Sequence, residues 1–258
     1  MEVVKTVGII PARLQSSRLP EKLLLNETGR PLIEYVWQVA QKCPVLDDVI
    51  VATDSPRIQE AVTTFGGRAE LTGEFPSGSD RVADVAKRFC PDADVVVNLQ
   101  GDEPELEPST IEALVSALSD SGSEMATVAA PLSDSDAINS PDCVKVVVSD
   151  AGRALYFSRS VIPFPRGEAV ERTLETQAAT PWLLHVGLYA YRRDFLLKLT
   201  SMPPSTLETL EKLEQLRALQ AGASIAVAVI PKAAVGIDTA EDYAAFVKRL
   251  GGGTKACG

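Results

Sequence analysis

Short apolar runs that alternate with helical patterns restrict this chain's fold more than any other feature. The clearest runs extend from Val3 to Ile10, from Asp48 to Ala52 and from Asp94 to Leu99. Val and Ile dominate them, without the in–out alternation of a strand that is wet on one face. Each therefore reads as a strand buried on both faces, the kind found in parallel sheets. Helical spacing returns between them: Leu32, Ile33, Val36, Val39 and Ala40 within 31–42, and Ile111, Leu114, Val115 and Leu118 within 108–118. Pro31 and Pro56 suit first helical turns, and Gly66-Gly67 is a stop signal. Shorter runs at 69–72 and 125–130 add strands, and a helix leads from the Pro76–Arg81 segment to Phe89. The pattern predicts an α/β fold, a mostly parallel central sheet with helices on both faces.

The character changes near Pro131. Residues 144–148 and 154–157, joined by Ser149-Asp150-Ala151-Gly152, read as a hairpin. Residues 160–181, rich in proline and charge, read as a long surface loop, and 184–191 as a strand. A helix over 206–221, a strand over 225–230 and a helix over 239–250 close the chain. The expectation is one domain over 1–250 with an inserted β-rich lobe at about 131–192, and a flexible tail at 251–258.

Composition narrows the partners. The 258 residues include 25 Lys and Arg against 35 Asp and Glu, a net charge of −10, which disfavours nucleic acid or an anionic membrane. No apolar run of membrane-spanning length occurs, and the start, with Glu2 and Lys5, lacks a signal-peptide pattern. A cytoplasmic protein without membrane insertion is expected. Four scattered cysteines (Cys43, Cys90, Cys143, Cys257) form no CxxC pair, so neither zinc nor a disulfide framework is expected.

Against that acidic background, the segment after the first strand is basic. Pro11 is expected to end the ladder, having no N–H to donate. Arg13, Arg18 and Lys22 follow, with Gln15, Ser16 and Ser17 among them and no acid before Glu21. Neither GxxxxGK[ST] nor GxGxxG is present. Open α/β sheets bind ligands beyond the carboxyl ends of their strands, so this loop reads as a polyphosphate grip. Gln100-Gly101-Asp102-Glu103-Pro104 and Gly236-Ile237-Asp238-Thr239 also follow strands, and one sheet edge would bring them to it. Asp102 and Asp238 would then supply two carboxylates beside phosphate oxygens, the usual environment of Mg²⁺. Either acid alone also suits a turn or a helix cap, and Asp54 reads as a cap or turn residue.

The chain resembles the 3-deoxy-manno-octulosonate (Kdo) cytidylyltransferase family, the CMP-Kdo synthetases. The matching motifs are Ile10-Pro-Ala-Arg13, Ser17-Arg-Leu-Pro20 with Lys22, Ser77-Gly-Ser-Asp-Arg81, Asn98-Leu-Gln-Gly-Asp-Glu-Pro104, Ala154-Leu-Tyr-Phe-Ser-Arg159, Trp182–Arg192, Leu213-Glu-Gln-Leu-Arg217 and Val235-Gly-Ile-Asp-Thr239. They run in order over nearly the whole chain. Leu184 stands where the family commonly has Arg, and Ser79 where it commonly has Thr.

The resemblance implies a Rossmann-like nucleotide-diphospho-sugar transferase fold and a transfer from CTP to Kdo that releases pyrophosphate, for lipopolysaccharide synthesis. It implies that Pro11, Ala12, Arg13, Lys22, Ser77, Gly78, Arg81 and Gln100 bind the nucleotide. Arg13, Lys22 and Asp102 would serve catalysis, and Asp102 with Asp238 would hold Mg²⁺. Arg159, His185, Tyr189, Glu211 and Gln215 would bind the acid sugar, Arg159 because its planar fork suits a carboxylate. His185, the one histidine of the chain, also suits a structural role. Glu208, Glu211 and Gln215 would share one stripe of the 206–221 helix, whose leucines step by three and so ask for burial on more than one side. That pattern fits a homodimer, as in the family. A cytidylyltransferase for 8-amino-Kdo or a sialic acid, and a nucleotide sensor without turnover, are the alternatives.

Overall fold

The computed structural model describes residues 4–16 and 18–252; Val3, Ser17, Cys257 and the 253–258 part of the expected tail lie outside the described residues. The chain divides into two compact units, residues 1–112 with 234–258, and residues 113–233.

The first unit is a parallel sheet. Its strands are β1 (Thr6–Ala12), β2 (Asp48–Thr53), β3 (Arg68–Leu71) and β4 (Val95–Asn98), in the order β3-β2-β1-β4 with every pairing parallel. Ile9, Ile10, Ile50, Val51 and Val95 to Val97 are fully buried, as unbroken apolar runs require. Helices α1 (Leu32–Gln41), α2 (Pro56–Thr64) and α3 (Gly78–Phe89) fall between successive strands, and α10 (Ala240–Gly252) returns to this unit. Leu32, Ile237, Tyr243 and Phe246 form a buried cluster that ties α10 to α1.

Pro11 does not end β1. It pairs with Ala52, and the ladder runs on to Ala12 opposite Thr53. The reason is directional. Ile9 O accepts from Leu99 N, so residues 9 and 11 face the β4 side, where the β1–β4 register ends at Ile9 opposite Asn98. The missing N–H of Pro11 thus points past the end of that ladder, and no bond is lost.

Helix α4 (Pro108–Ser121) spans the boundary between the units. The second unit holds β5 (Met125–Pro131), α5 (Ser135–Asn139), the hairpin β6 (Lys145–Val148) and β7 (Ala154–Ser158), α6 (Val170–Thr176) and β8 (Leu183–Arg192). Helices α7 (Arg193–Ser201), α8 (Thr206–Glu211) and α9 (Gln215–Gln220) and strand β9 (Ile225–Val229) complete it. β5 is parallel to β9 and antiparallel to β8, and β6 pairs with both β7 and β8. The β5–β8 register shifts between Thr127 and Val128.

Two expectations for this unit change. The 160–181 stretch is not all loop, because Val170 on α6 packs with Leu132, Ile138 and Trp182. The 206–221 helix is two helices. Lys212 adopts a left-handed conformation (φ 56°), and Leu213 N donates back to Glu208 O at 3.3 Å, closing α8. This break accounts for the leucines stepping by three: Leu210 is exposed on α8, whereas Leu213 and Leu216 are buried beyond it. Glu208, Glu211 and Gln215 therefore do not share one stripe. Glu208 bonds Arg217 through both oxygens (2.8 and 2.6 Å).

Among the described residues, no helix is long and apolar enough to cross a membrane.

Candidate functional site

The basic loop leaves β1 at Ala12 and is tied to the strand beside it. Leu14 N donates to Asp54 Oδ1 (3.2 Å), and Asp54 Oδ2 accepts from Arg81 Nη2 (2.7 Å). Of the two roles expected of it, cap or turn, Asp54 takes the turn, in the bend between β2 and α2. It is a two-sided bridge between the loop and buried Arg81, which also donates to Thr72 Oγ1. Arg13 is exposed. Ser77 caps α3, accepting from Asp80 N (3.2 Å) and donating to Asp80 Oδ2 (2.9 Å). The side chains of Ser77 and Arg81 are therefore engaged within the protein, while Gly78 opens α3 where an added Cβ would stand 3.6 Å from Pro11. Gln100 follows β4, and its carbonyl accepts from Glu103 N (3.3 Å).

Lys22 lies in a single 3-10 turn, Lys22–Leu24, with its side chain only 10% exposed. Its Nζ donates to Asp102 Oδ2 at 2.6 Å and to Asp238 Oδ1 at 3.0 Å. Two carboxylates 136 residues apart, the difference of their numbers, therefore meet on one ammonium. Asp238 Oδ2 also accepts from Arg18 Nη2 (2.9 Å). The backbone fixes the pair, since Ile237 N donates to Asp102 O at 2.9 Å. Gly101 keeps the turn close, because a Cβ there would stand 3.3 Å from Ile10 and 3.4 Å from Leu23.

Asp238 is spared from capping α10. Thr239 Oγ1 accepts from Asp242 N (3.1 Å), and Asp242 Oδ2 accepts from Thr239 N (2.9 Å), a reciprocal cap. Beside Asp102, Glu103 has Oε2 buried without a hydrogen-bond partner among the described residues. Burial, with the charge of Asp102, pushes its carboxyl up to about 8.

The donor set suits a divalent ion shared with a substrate. Asp102 and Asp238 already converge on one cationic group, and hard carboxylate oxygens are Mg²⁺ ligands. Among the described residues, no group of three or more His, Cys, Asp or Glu could hold a metal. Two protein carboxylates completed by phosphate and water match how Mg²⁺ is held at nucleotides.

The second unit gathers the other expected residues. His185, Tyr189 and Phe157 form a ring cluster, with centroids 5.0 Å apart for Phe157–His185 and 5.5 Å for His185–Tyr189. His185 Nε2 lies 3.1 Å from Thr127 Oγ1, which stands 2.9 Å from Leu188 O and 3.2 Å from Val186 O. A hydroxyl has one proton, and two carbonyls this close require it. His185 therefore presents Nε2–H to Thr127 and keeps Nδ1 as its acceptor. Burial pushes its pKa down to about 3, so the ring is neutral near pH 7. Burial likewise holds the Tyr189 hydroxyl well above its usual range.

Glu211 and Arg159 come together. Ser158 Oγ donates to Glu211 Oε1 (2.6 Å), Arg159 N to Glu211 Oε2 (3.0 Å), and Arg159 Nε to Glu211 O (2.8 Å). Gln215 is buried, and its Nε2 has no hydrogen-bond partner among the described residues. An unpaired buried donor is costly in itself and is suited to meet a polar ligand.

Sequence reasoning missed Arg18 as a partner of Asp238, Thr127 behind His185, Asp54 behind Arg81, and Lys145. Lys145 left a signal, a charge inside the apolar run Cys143-Val-Lys-Val-Val-Val148.

The cytidylyltransferase family model matches residues 7–225. A 3-deoxy-manno-octulosonate cytidylyltransferase of Rhodopirellula baltica is 44% identical over 96% of this chain and 99% of its own length. One of Syntrophobacter fumaroxidans is 48% identical over 96% and 97%. Among solved structures, a CMP:2-keto-3-deoxy-manno-octonic acid synthetase complexed with CTP superposes with a TM-score of 0.88 at 39% identity, covering 96% of this chain and 99% of that one. A 4-diphosphocytidyl-2C-methyl-D-erythritol synthase of Anaerococcus prevotii, at 13% identity and a TM-score of 0.64 over 96% and 99%, shares the fold. With likeness of this extent in sequence and backbone alike, the chain belongs to the 3-deoxy-manno-octulosonate cytidylyltransferase family.

Proposed function

We propose that this chain transfers CMP from CTP to 3-deoxy-manno-octulosonate, forming CMP-Kdo and pyrophosphate for lipopolysaccharide synthesis. The C2 hydroxyl oxygen of the sugar bonds to the α-phosphorus of CTP. The bond from that phosphorus to the bridging oxygen breaks, pyrophosphate leaves, and the hydroxyl proton passes to solvent water. Such a step asks for alignment and charge neutralisation. The observation that carries the reading is the meeting of Lys22, Asp102 and Asp238.

Lys22 and Arg13 take the triphosphate, Lys22 moving from carboxylate to phosphate oxygen as the nucleotide enters. Asp102 and Asp238, released from Lys22, would hold Mg²⁺, which would supply neutralisation of phosphate charge. Pro11, Ala12, Gly78 and Gln100 frame the nucleotide with backbone and amide groups, while Ser77 and Arg81 keep the loop and α3 in shape. Arg159 grips the sugar carboxylate with the N–H groups its internal bonds leave over. Gln215 Nε2 donates to a sugar oxygen, and Tyr189 and Glu211 shape the pocket around it. His185 Nδ1 accepts from a hydroxyl; at a pKa of about 3 it is too weak a base to remove that proton. The enzyme works as a cytoplasmic homodimer.

Pyrophosphate release, measured with CTP, Mg²⁺ and Kdo and then with 8-amino-Kdo, a sialic acid and the other nucleoside triphosphates, tests the proposal. The highest kcat/KM is expected for CTP with Kdo. CTP binding without turnover on any sugar would make the protein a sensor, and preference for another acid sugar would reassign the substrate.

A further inference from the structure

Lys145 opens β6 with its side chain wholly inside the second unit. Its Nζ donates to three backbone carbonyls: Ser140 O at 2.8 Å, Cys143 O at 2.6 Å and Arg159 O at 2.7 Å. An ammonium has three N–H groups and no acceptor, so this set leaves no donor unspent. A buried lysine carries a large desolvation cost, and a methionine would fill the same volume without it. The charge therefore needs a reason beyond packing.

The targets of the three bonds supply one. Arg159 O is the backbone anchor of Arg159, at the end of β7. Ser140 and Cys143 bracket Pro141, whose carbonyl accepts from Arg159 Nη1 at 2.9 Å. Lys145 thus fixes both the root of Arg159 and the loop that receives its tip. Arg159 Nε, held on Glu211 O at 2.8 Å, completes the frame. Among the described residues, two of the five guanidinium N–H groups are spent this way, leaving three to meet a carboxylate.

We infer that Lys145 is a positioning residue for acid-sugar binding, an internal cation that holds Arg159 in register with the substrate carboxylate without touching the substrate. The inference rests on the proposed function, in which Arg159 grips that carboxylate. It adds a residue that bears on recognition of the sugar and not of the nucleotide.

The test is Lys145→Met, with steady-state kinetics in both substrates and ¹⁵N NMR of the Arg159 Nε–H signal. The KM for Kdo is expected to rise at least tenfold while that for CTP stays within twofold. The Nε–H proton, slow to exchange in the wild type, is expected to exchange rapidly in the variant. Both KM values unchanged, or both raised together, would overturn the inference, as would an Arg159 Nε–H that stays protected. Should Lys145→Met fail to fold, the wild type still decides. Its Lys145 ammonium signal is expected to shift on adding Kdo and to stay unmoved by CTP, and an equal response to both, or none to Kdo, would overturn the inference. A wild type that turns over no acid sugar would instead sink the functional proposal, leaving the Arg159 exchange rate to judge Lys145.

Discussion

Lys22 Nζ stands 2.6 Å from Asp102 Oδ2, an ion pair between the turn after the basic loop and the turn after β4. Its second bond, to Asp238, makes the lysine a cation held in common by two acids. A nucleotide arriving with a metal offers each group a better partner: phosphate for the lysine, and a divalent ion for the carboxylates.

Lys22→Gln removes that internal competitor. The nucleotide-free variant should bind Mn²⁺ at least tenfold more tightly than the wild type, while turnover falls about 100-fold or more. Electron paramagnetic resonance of free Mn²⁺ measures the first quantity. Equal Mn²⁺ affinity in the two proteins would show that the lysine does not guard the acids.

His185 should make stability depend on pH. Its folded pKa of about 3 lies below the ordinary 6.5, so the unfolded chain binds the extra proton between those values. The neutral ring's contribution is complete above about pH 6.5 and is lost as the pH falls, by at most about 1.4 kcal/mol per unit. Glu103, raised by burial, contributes with the opposite slope between its ordinary value and about 8. The readout is therefore the difference between wild type and His185→Asn in urea unfolding from pH 7 to 5. Parallel stability curves would mean that the ring is not held neutral.

Lys212 separates the two helices at φ 56°, a conformation that costs a side-chain-bearing residue roughly 1–2 kcal/mol. Lys212→Gly should stabilise the protein by about 0.5–1 kcal/mol. In one continuous helix over 206–221 the same change would destabilise by about 1 kcal/mol. The sign of the shift in the urea midpoint decides between them.

These residues also mark where the sequence was readable. Strands β1, β2 and β4 were legible because burial on both faces leaves a run of Val and Ile that few other structures produce. Asp102 was legible because it follows β4 at the carboxyl edge of a parallel sheet; Asp238 was expected there by the same rule but does not follow a strand directly, standing nine residues past β9 in the segment that leads into α10. Lys212 was not, since a left-handed lysine looks like any helical lysine, and only the tertiary burial of Leu213 and Leu216 forces the break. Pro11 misled because its cost depends on which neighbour its missing N–H would face, a matter of register. The pairing of Asp54 with Arg81 and that of Thr127 with His185 escaped notice because the partners lie 27 and 58 residues away, with nothing local to announce the contact.

The most direct test of the account is the rate of pyrophosphate release from CTP and Kdo across a Mg²⁺ titration, in the wild type, Asp102→Asn, Asp238→Asn and the control Glu105→Gln. Glu105 pairs with Arg249 on an exposed surface of the same unit. Both Asp variants are expected to lose about 100-fold or more at every Mg²⁺ concentration, while the control keeps the wild-type profile. Near wild-type turnover in either Asp variant would contradict the claim that these two acids form the catalytic centre.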